Sequence, residues 1–343
     1  MKTALLAFTQ TGERLADRIA AFDCIGPAVA KHDSRHMAAR DFVAAQFKQC
    51  ELLVFIGAAA IAVRLIAPWL KDKAQDPAVL VIDELGQFVI PILSGHLGGA
   101  NELARHLAQA LQAQAVITTA TDLQQCFAID VWSRKNRCLI PDISRIKAVS
   151  SRLLAGQSVG LCSDWPLEGH LPDLLAAYSP EQLAERGARQ PEVGIWISCS
   201  VAAMPFATTL QVVPRALVLG AGCRRGTDPA AFEQFVLDLL AERNLRLDAI
   251  ACVASIDIKQ DEPCLVAFCE KYQLPLVVYS AKELRDVEGD FMTSDFVRQT
   301  TGVDNVCERS AVRASQGGGL LVPRRSRSGM TLALAAEDWR GGF

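Results

Sequence analysis

Two glycine-rich strings hold the residue types most able to do chemistry. The first, Ser94-Gly95-His96-Leu97-Gly98-Gly99-Ala100-Asn101-Glu102-Leu103, stands where an apolar run gives way to a helical pattern. Glycines let a ligand approach the backbone, free N–H groups at a helix start favour a carboxylate or oxyanion, and a histidine titrates near neutral pH. His96, Ser94 and Glu102 are therefore catalytic candidates, and Gly98, Gly99 and Asn101 candidates for substrate binding. Ser94 and His96 are too close in sequence to declare a dyad, and the string does not match the G-x-S-x-G nucleophile elbow. A glycine-permitted turn with His96 as a solvated cap would leave the same letters.

The second string, Gly220-Ala221-Gly222-Cys223-Arg224-Arg225-Gly226-Thr227-Asp228, is again a strand, a glycine turn and a helix start. Its spacing is one residue off the dinucleotide fingerprint, and no acidic residue ends a strand about 20 positions on, so a nicotinamide cofactor is not indicated. Arg224 and Arg225 could hold carboxylates with planar paired hydrogen bonds, or form a solvated pair beside a cap. Cys223, next to two guanidiniums, is an apolar turn residue or an activated thiol. Further candidates end other strands: Asp122 after Thr118-Thr119-Ala120-Thr121, Asp257 with Lys259, and Asn305 with Glu308 and Arg309 at helical spacing. Ordinary caps and surface ion pairs would read the same way. His32 and His36 lack an HExxH pattern, and no metal-ligand spacing is found.

The elements that must position these residues alternate. Apolar runs at 4–8, 52–56, 78–82, 88–93 and 115–119 read as strands, with helices near 12–20, 37–49 and 99–112. Asp83-Glu84-Leu85-Gly86 reads as a hairpin turn. From 136 to 214 the pattern loosens, with Pro141, Pro166, Pro172, Pro180 and Pro191 between short segments and 194–200 as the clearest strand. A second α/β run then follows. It has strands at 216–219, 250–254 and 276–279, a helix from Asp228-Pro229 to about 243, a capping box at Ser280 to Glu283, and a closing pair at 320–322 and 330–335. The expected fold class is α/β, with N-terminal and C-terminal three-layer α/β domains (1–135 and 215–343) joined by a smaller middle region (136–214).

Composition sets the outer limits. The chain has 343 residues, half of them hydrophobic, 23 Gly and 15 Pro, which excludes disordered and low-complexity classes and suggests two or three domains. A formal net charge of -3 with no long basic run argues against nucleic acid as a partner. Eleven cysteines without a CxxC pair fit reduced thiols in a cytoplasm better than a disulfide framework. The N-terminal segment is interrupted at Thr9, Gln10 and Gly12, too early for a signal peptide, and the uncharged stretch 193–214 is broken by Pro205, so no membrane segment is expected.

Several strings together resemble one family. Ile61-Ala62-Val63-Arg64-Leu65-Ile66-Ala67-Pro68, Lys71-Asp72-Lys73, Asp76-Pro77-Ala78-Val79, the His96 string and Val116-Ile117-Thr118-Thr119-Ala120-Thr121-Asp122 resemble the CbiG family of anaerobic cobalamin biosynthesis. Gly222-Cys223-Arg224-Arg225-Gly226, Ala254-Ser255-Ile256-Asp257-Ile258-Lys259, Asp261-Glu262-Pro263 and 301–309 resemble its C-terminal domain and the stand-alone CobE protein of the aerobic pathway. Ala60 stands where the family pattern suggests glycine. The resemblance covers nearly the whole chain and is weakest at 136–214.

It implies opening of the ring A δ-lactone of cobalt-precorrin-5A with loss of acetaldehyde. The cobalt would be carried by the substrate, with no cofactor of the protein's own, and neighbouring enzymes of the pathway are conceivable partners. It also implies Arg64 as a substrate-binding candidate. On this reading His96 would be a general base toward water and the N–H groups around Gly98 and Gly99 an oxyanion hole. A hand-over protein for labile corrinoids, without chemistry, would use the same loops. A nucleotide-dependent oxidoreductase is a more distant alternative.

Overall fold

The computed structural model describes residues 1–72, 75–184, 191–202 and 204–343. Lys73 of the family-like strings lies outside them, as do 185–190 and 203 of the middle region. The chain divides into two compact units, one of residues 1–134 with 150–157, the other of 135–149 with 158–343. The stretches 136–214 and 215–343 thus fall largely in one unit, although each builds its own sheet.

The N-terminal unit is a six-stranded sheet in the order β2-β1-β3-β4-β5-β6. Its strands are β1 (Lys2–Ala7), β2 (Ala28–Lys31), β3 (Leu52–Ile56), β4 (Ala78–Ile82), β5 (Phe88–Leu93) and β6 (Gln114–Ala115). All neighbours are parallel except the β4–β5 hairpin. Both faces are covered, which is why β3 and β4 read as unbroken apolar runs rather than alternating ones. Leu5, Leu52, Val54 and Leu80 face α1 (Gln10–Ala20) and α4 (Ala100–Leu111). Ala4, Leu6, Leu53 and Phe55 face α2 (Ala39–Gln46) and α3 (Ala59–Ile66). Short helices α5 (Ala120–Leu123) and α6 (Ile129–Lys135) follow.

The hairpin turn is held by Asp83, whose carboxylate accepts from the N–H groups of Leu85, Gln87 and Phe88, while Gly86 takes φ +69°. The strand expected over 115–119 is a correction. Only Gln114 and Ala115 pair with β5, because the chain beyond turns off to place Thr119, Thr121 and Asp122 beside His96.

The middle stretch, whose fold the sequence leaves open, is also α/β. Strands β7 (Cys138–Leu139), β8 (Val159–Ser163), β10 (Leu175–Ala177), β11 (Val193–Ile197) and β12 (Thr208–Pro214) form a sheet in the order β10-β8-β11-β12-β7, parallel save for β7. Helices α7 (Ile146–Leu154) and α8 (Pro180–Ala184) accompany it, and a short β9 (Leu167–Glu168) pairs with the terminal β18 (Gly341–Gly342).

In the C-terminal stretch β13 (Leu217–Cys223), β14 (Ile250–Ile256), β15 (Leu276–Tyr279), β16 (Gly319–Arg327) and β17 (Met330–Ala336) stand in the order β15-β14-β13-β17-β16. Helices α9 (Pro229–Glu242) and α10 (Pro263–Tyr272) cover one face through Phe232, Phe235 and Phe268. Helix α13 (Cys307–Ala314) covers the other, and α11 (Ala281–Arg285) and α12 (Asp295–Thr301) lead into it. Gly220 makes that packing fit, since a Cβ there would fall 1.8 Å from the Cys307 carbonyl oxygen. Among the described residues no helix is long and apolar enough to cross a membrane.

Candidate functional site

The loop between β5 and α4 folds tightly because two glycines permit it. A Cβ on Gly98 would meet the Ser94 Cβ at 2.5 Å, and Gly99 caps α4 with φ +77°. The turn is closed by Gly99 N–H to His96 O at 2.9 Å, Ala100 N–H to Ser94 O at 3.2 Å and Asn101 N–H to Gly95 O at 2.9 Å. Inside this turn His96 is clamped between two carboxylates. Its Nε2 lies 2.8 Å from Asp122 Oδ2 and its Nδ1 3.2 Å from Asp130 Oδ2. Ionised carboxylates only accept, so two of them flanking the ring favour the form in which both ring nitrogens donate, the imidazolium. The Asp130 hydrogen bond, reinforced by Asp122, outweighs burial and lifts the His96 pKa above its ordinary value.

Asp122 is held in turn. Burial would raise its pKa, but hydrogen bonds from Arg105, His96 and Asn101 prevail and hold it below the usual carboxylate range. Asn101, 4% exposed, donates to both Asp122 Oδ2 and Thr119 Oγ1 at 2.8 Å. The Thr121 hydroxyl lies 3.2 Å from His96 Nε2. The structure thus brings together His96, Asn101 and Asp122 from the sequence candidates, and adds Asp130, Arg105, Thr119 and Thr121.

Other candidates have different tasks. The Ser94 hydroxyl donates to the Asp76 carbonyl at 2.9 Å, tying the turn to the loop before β4 rather than offering a nucleophile. Glu102 is paired with Arg134, and Arg64, exposed on α3, takes no part in the His96 network. Of the two N–H groups expected to form an oxyanion hole, that of Gly99 is spent on His96 O. The two flanking carboxylates favour the protonated form of His96, which can act as a base only after it has given that proton away.

The second string builds a different place. The end of β13, the end of β14 with the turn after it, α12 and the β16–β17 turn enclose a cavity of about 770 Å³. Ile256, Ile258, Val297, Val306 and Met330 supply apolar wall, and Arg224, Arg225, Lys259, Arg324 and Arg327 bring five cations to it. Lys259 is neutralised by Glu262 at 2.7 Å and Arg327 by Asp238. Among the described residues Arg224 and Arg225 have no carboxylate partner, and both are exposed.

Cys223 and Asn305 also line the cavity, whereas Asp257 and Glu308 do not. Glu308, 1% exposed, is a structural knot that accepts from the Met292 N–H, the Arg324 N–H and Asn305 Nδ2. Asp257 caps the backbone N–H of Ile258 at 2.7 Å. Beside Cys223 stand Cys264, with Sγ atoms 3.6 Å apart, and Glu262, which accepts from Gly226 N–H at 2.8 Å. The Cys264 S–H donates to Cys223 and thereby makes Cys223 the more acidic of the pair, while Cys264 is pushed up. Arg324 and Arg327 went unnoticed in sequence because they lie within strand β16, and no local pattern marks which of its residues face a cavity.

Three family models match in chain order: cobalamin synthesis G N-terminal over 41–122, cobalamin biosynthesis central region over 127–214, and cobalamin synthesis G C-terminus over 217–335. A curated protein of Salmonella typhimurium named cobalt-precorrin-5A hydrolase is 36% identical, over 82% of this chain and 81% of its own. The chain belongs to this family. A Priestia megaterium member of the family with the same name is 32% identical, over 83% of this chain and 78% of its own. The crystal structure of CobE, a protein from the cobalamin pathway, aligns with 35% of this chain and 89% of its own at 31% identity and a TM-score of 0.34. Family membership covers the His96 loop and the cavity string alike, since both lie inside matched segments.

Proposed function

We propose that this chain is a cobalt-precorrin-5A hydrolase of adenosylcobalamin biosynthesis. It opens the ring A δ-lactone of the cobalt-corrinoid and releases acetaldehyde to give cobalt-precorrin-5B. The observation that carries the reading is the near full-length likeness to curated hydrolases of that name. The geometry is compatible with it: a carboxylate-clamped imidazolium can move protons, and an apolar cavity with unpaired arginines suits a macrocycle bearing many carboxylates.

The balance of the reaction assigns His96 two tasks. Water adds to the lactone carbonyl, its two protons pass to bulk solvent, and the ring C–O bond breaks, leaving a carboxylate and an alkoxide. His96, protonated at rest, gives its proton to that alkoxide oxygen. The resulting alcohol then loses its proton as its carbon–carbon bond to the macrocycle breaks, the electron pair enters the conjugated ring, and the fragment leaves as acetaldehyde. Neutral His96 is the acceptor for that second proton, so one side chain serves as acid and then as base. Asp122 and Asp130 keep the ring oriented and favour its charged form. Arg224 and Arg225 bind substrate carboxylates. The cobalt enters with the substrate, the corrinoid is the small-molecule partner, and the reaction takes place in the cytoplasm.

The test is anaerobic incubation of the purified chain with the lactone-bearing cobalt-corrinoid, following acetaldehyde and corrinoid mass together. Turnover with matching mass loss is the expected outcome. Tight binding without acetaldehyde would make the protein a corrinoid carrier instead.

A further inference from the structure

The family reading leaves unused a cluster that sequence spacing does not reveal. Cys223 ends β13, Glu262 caps α10, and Cys264 is the second residue of that helix. One ligand atom from each lies within 4.8 Å of the other two. From these distances we propose that Cys223, Glu262 and Cys264 form a binding site for a thiophilic divalent cation, zinc first, with its fourth position open toward the cavity. The proposal stands apart from the hydrolase reading and does not depend on it.

The spacing is the first support. With zinc–sulfur bonds of about 2.3 Å, tetrahedral geometry puts two thiolates about 3.8 Å apart. The two Sγ atoms stand at 3.6 Å, so the sulfur edge of a tetrahedron is already formed. Two sulfurs with one oxygen suit zinc, or cobalt(II) in the same geometry, rather than magnesium or calcium.

Burial and support come next. Cys264 is fully buried and Glu262 is 6% exposed, while Cys223 lines the cavity, so the cluster opens on one side only. The two oxygens of Glu262 already hold Gly226 N–H at 2.8 Å and Lys259 Nζ at 2.7 Å. An ionised carboxylate can accept about four hydrogen bonds or ligand contacts, so both donors can stay and orient it, as partners behind metal ligands commonly do. Charge also balances: two thiolates and a carboxylate are matched by a divalent ion and the Lys259 ammonium. Binding would release the thiol protons, which makes affinity rise with pH.

The experiment uses the full chain, reduced and handled anaerobically, titrated with Co²⁺ as an optical probe and then with Zn²⁺ against a chromophoric chelator. The expected result is one equivalent of Co²⁺ with a thiolate-to-cobalt charge-transfer band that Zn²⁺ abolishes. Cys264→Ser, off the cavity wall, should lose the band and weaken Zn²⁺ by at least about 100-fold while keeping its circular dichroism. Cys223→Ser should do the same. The proposal is overturned if the wild-type protein gives no saturable band, or if both variants bind Zn²⁺ as tightly as wild type. It is equally overturned if anaerobically prepared protein carries a Cys223–Cys264 disulfide by peptide mass, two hydrogens light.

Discussion

The His96 loop and the Cys223 string begin alike, as a strand, glycines and a helix start, yet they end as opposites. Around His96 the polar groups look inward: two carboxylates and the Thr121 hydroxyl converge on an imidazole ring that is 16% exposed, with the Asn101 amide and the Thr119 hydroxyl behind Asp122. Around Cys223 the cations look outward, into a cavity of about 770 Å³ with apolar walls. The first arrangement is built to hold a proton in a fixed place and the second to receive a large anion. The same local motif therefore does not dictate a task. What decides it is which distant charges the fold delivers: acids from the 120–130 segment to one, and arginines from the motif itself and β16 to the other.

The largest test of that contrast is His96→Gln, which keeps a hydrogen-bonding side chain but cannot carry the proton. Acetaldehyde release should fall about 100- to 10,000-fold in kcat with corrinoid affinity nearly unchanged. An unaltered kcat would remove proton chemistry from this loop.

Gly220→Ala probes the scaffold under the cavity. Its Cβ would sit 1.8 Å from the Cys307 carbonyl oxygen, so α13 must move off the sheet. A loss of about 3 kcal/mol in urea unfolding is expected, and wild-type stability would contradict the close-packing account.

Replacing Arg224 and Arg225 together by Ala should raise KM about 10- to 30-fold at little cost in kcat, as expected when two exposed charge pairs of about 0.7 to 1 kcal/mol each act in binding. If kcat fell while KM held, the cavity would be a place of chemistry and the contrast would collapse.

The smallest effect is a pH dependence. The His96 pKa is raised, so its contribution to stability is full below its unfolded value of about 6.5 and fades as pH climbs through the folded one. Asp122, lowered, acts oppositely, contributing above about 3.9 and losing its effect as pH falls through its folded value. Asp130→Asn should flatten the alkaline side of a Tm-versus-pH curve and leave the acid side in place. A curve with an unchanged alkaline limb would show that Asp130 does not hold the proton.

Much of the fold was legible because strands buried on both faces read as continuous apolar runs, as in 52–56 and 78–82, and because Asp228-Pro229 and Ser280 to Glu283 are local start signals that the structure keeps. The parallel sheet over 136–214 was not, since its strands are two to seven residues long and lie between prolines. Of the site, the glycine turns and His96 were visible, and Asp122 was suggested by its place after a strand. Asp130 was invisible: 34 residues from His96, on a short helix, it looks like any first-turn acid.

The sequence by itself determined the family, the α/β class and the two loops, because glycine turns, caps and apolar runs are consequences of local sterics and burial that a few adjacent residues specify. Only the tertiary structure decided that His96 sits between two carboxylates, that Ser94 and Glu308 hold the scaffold, and that Cys223, Glu262 and Cys264 meet. Charge state and coordination depend on through-space distances of a few ångströms, between residues whose separation along the chain carries no such information.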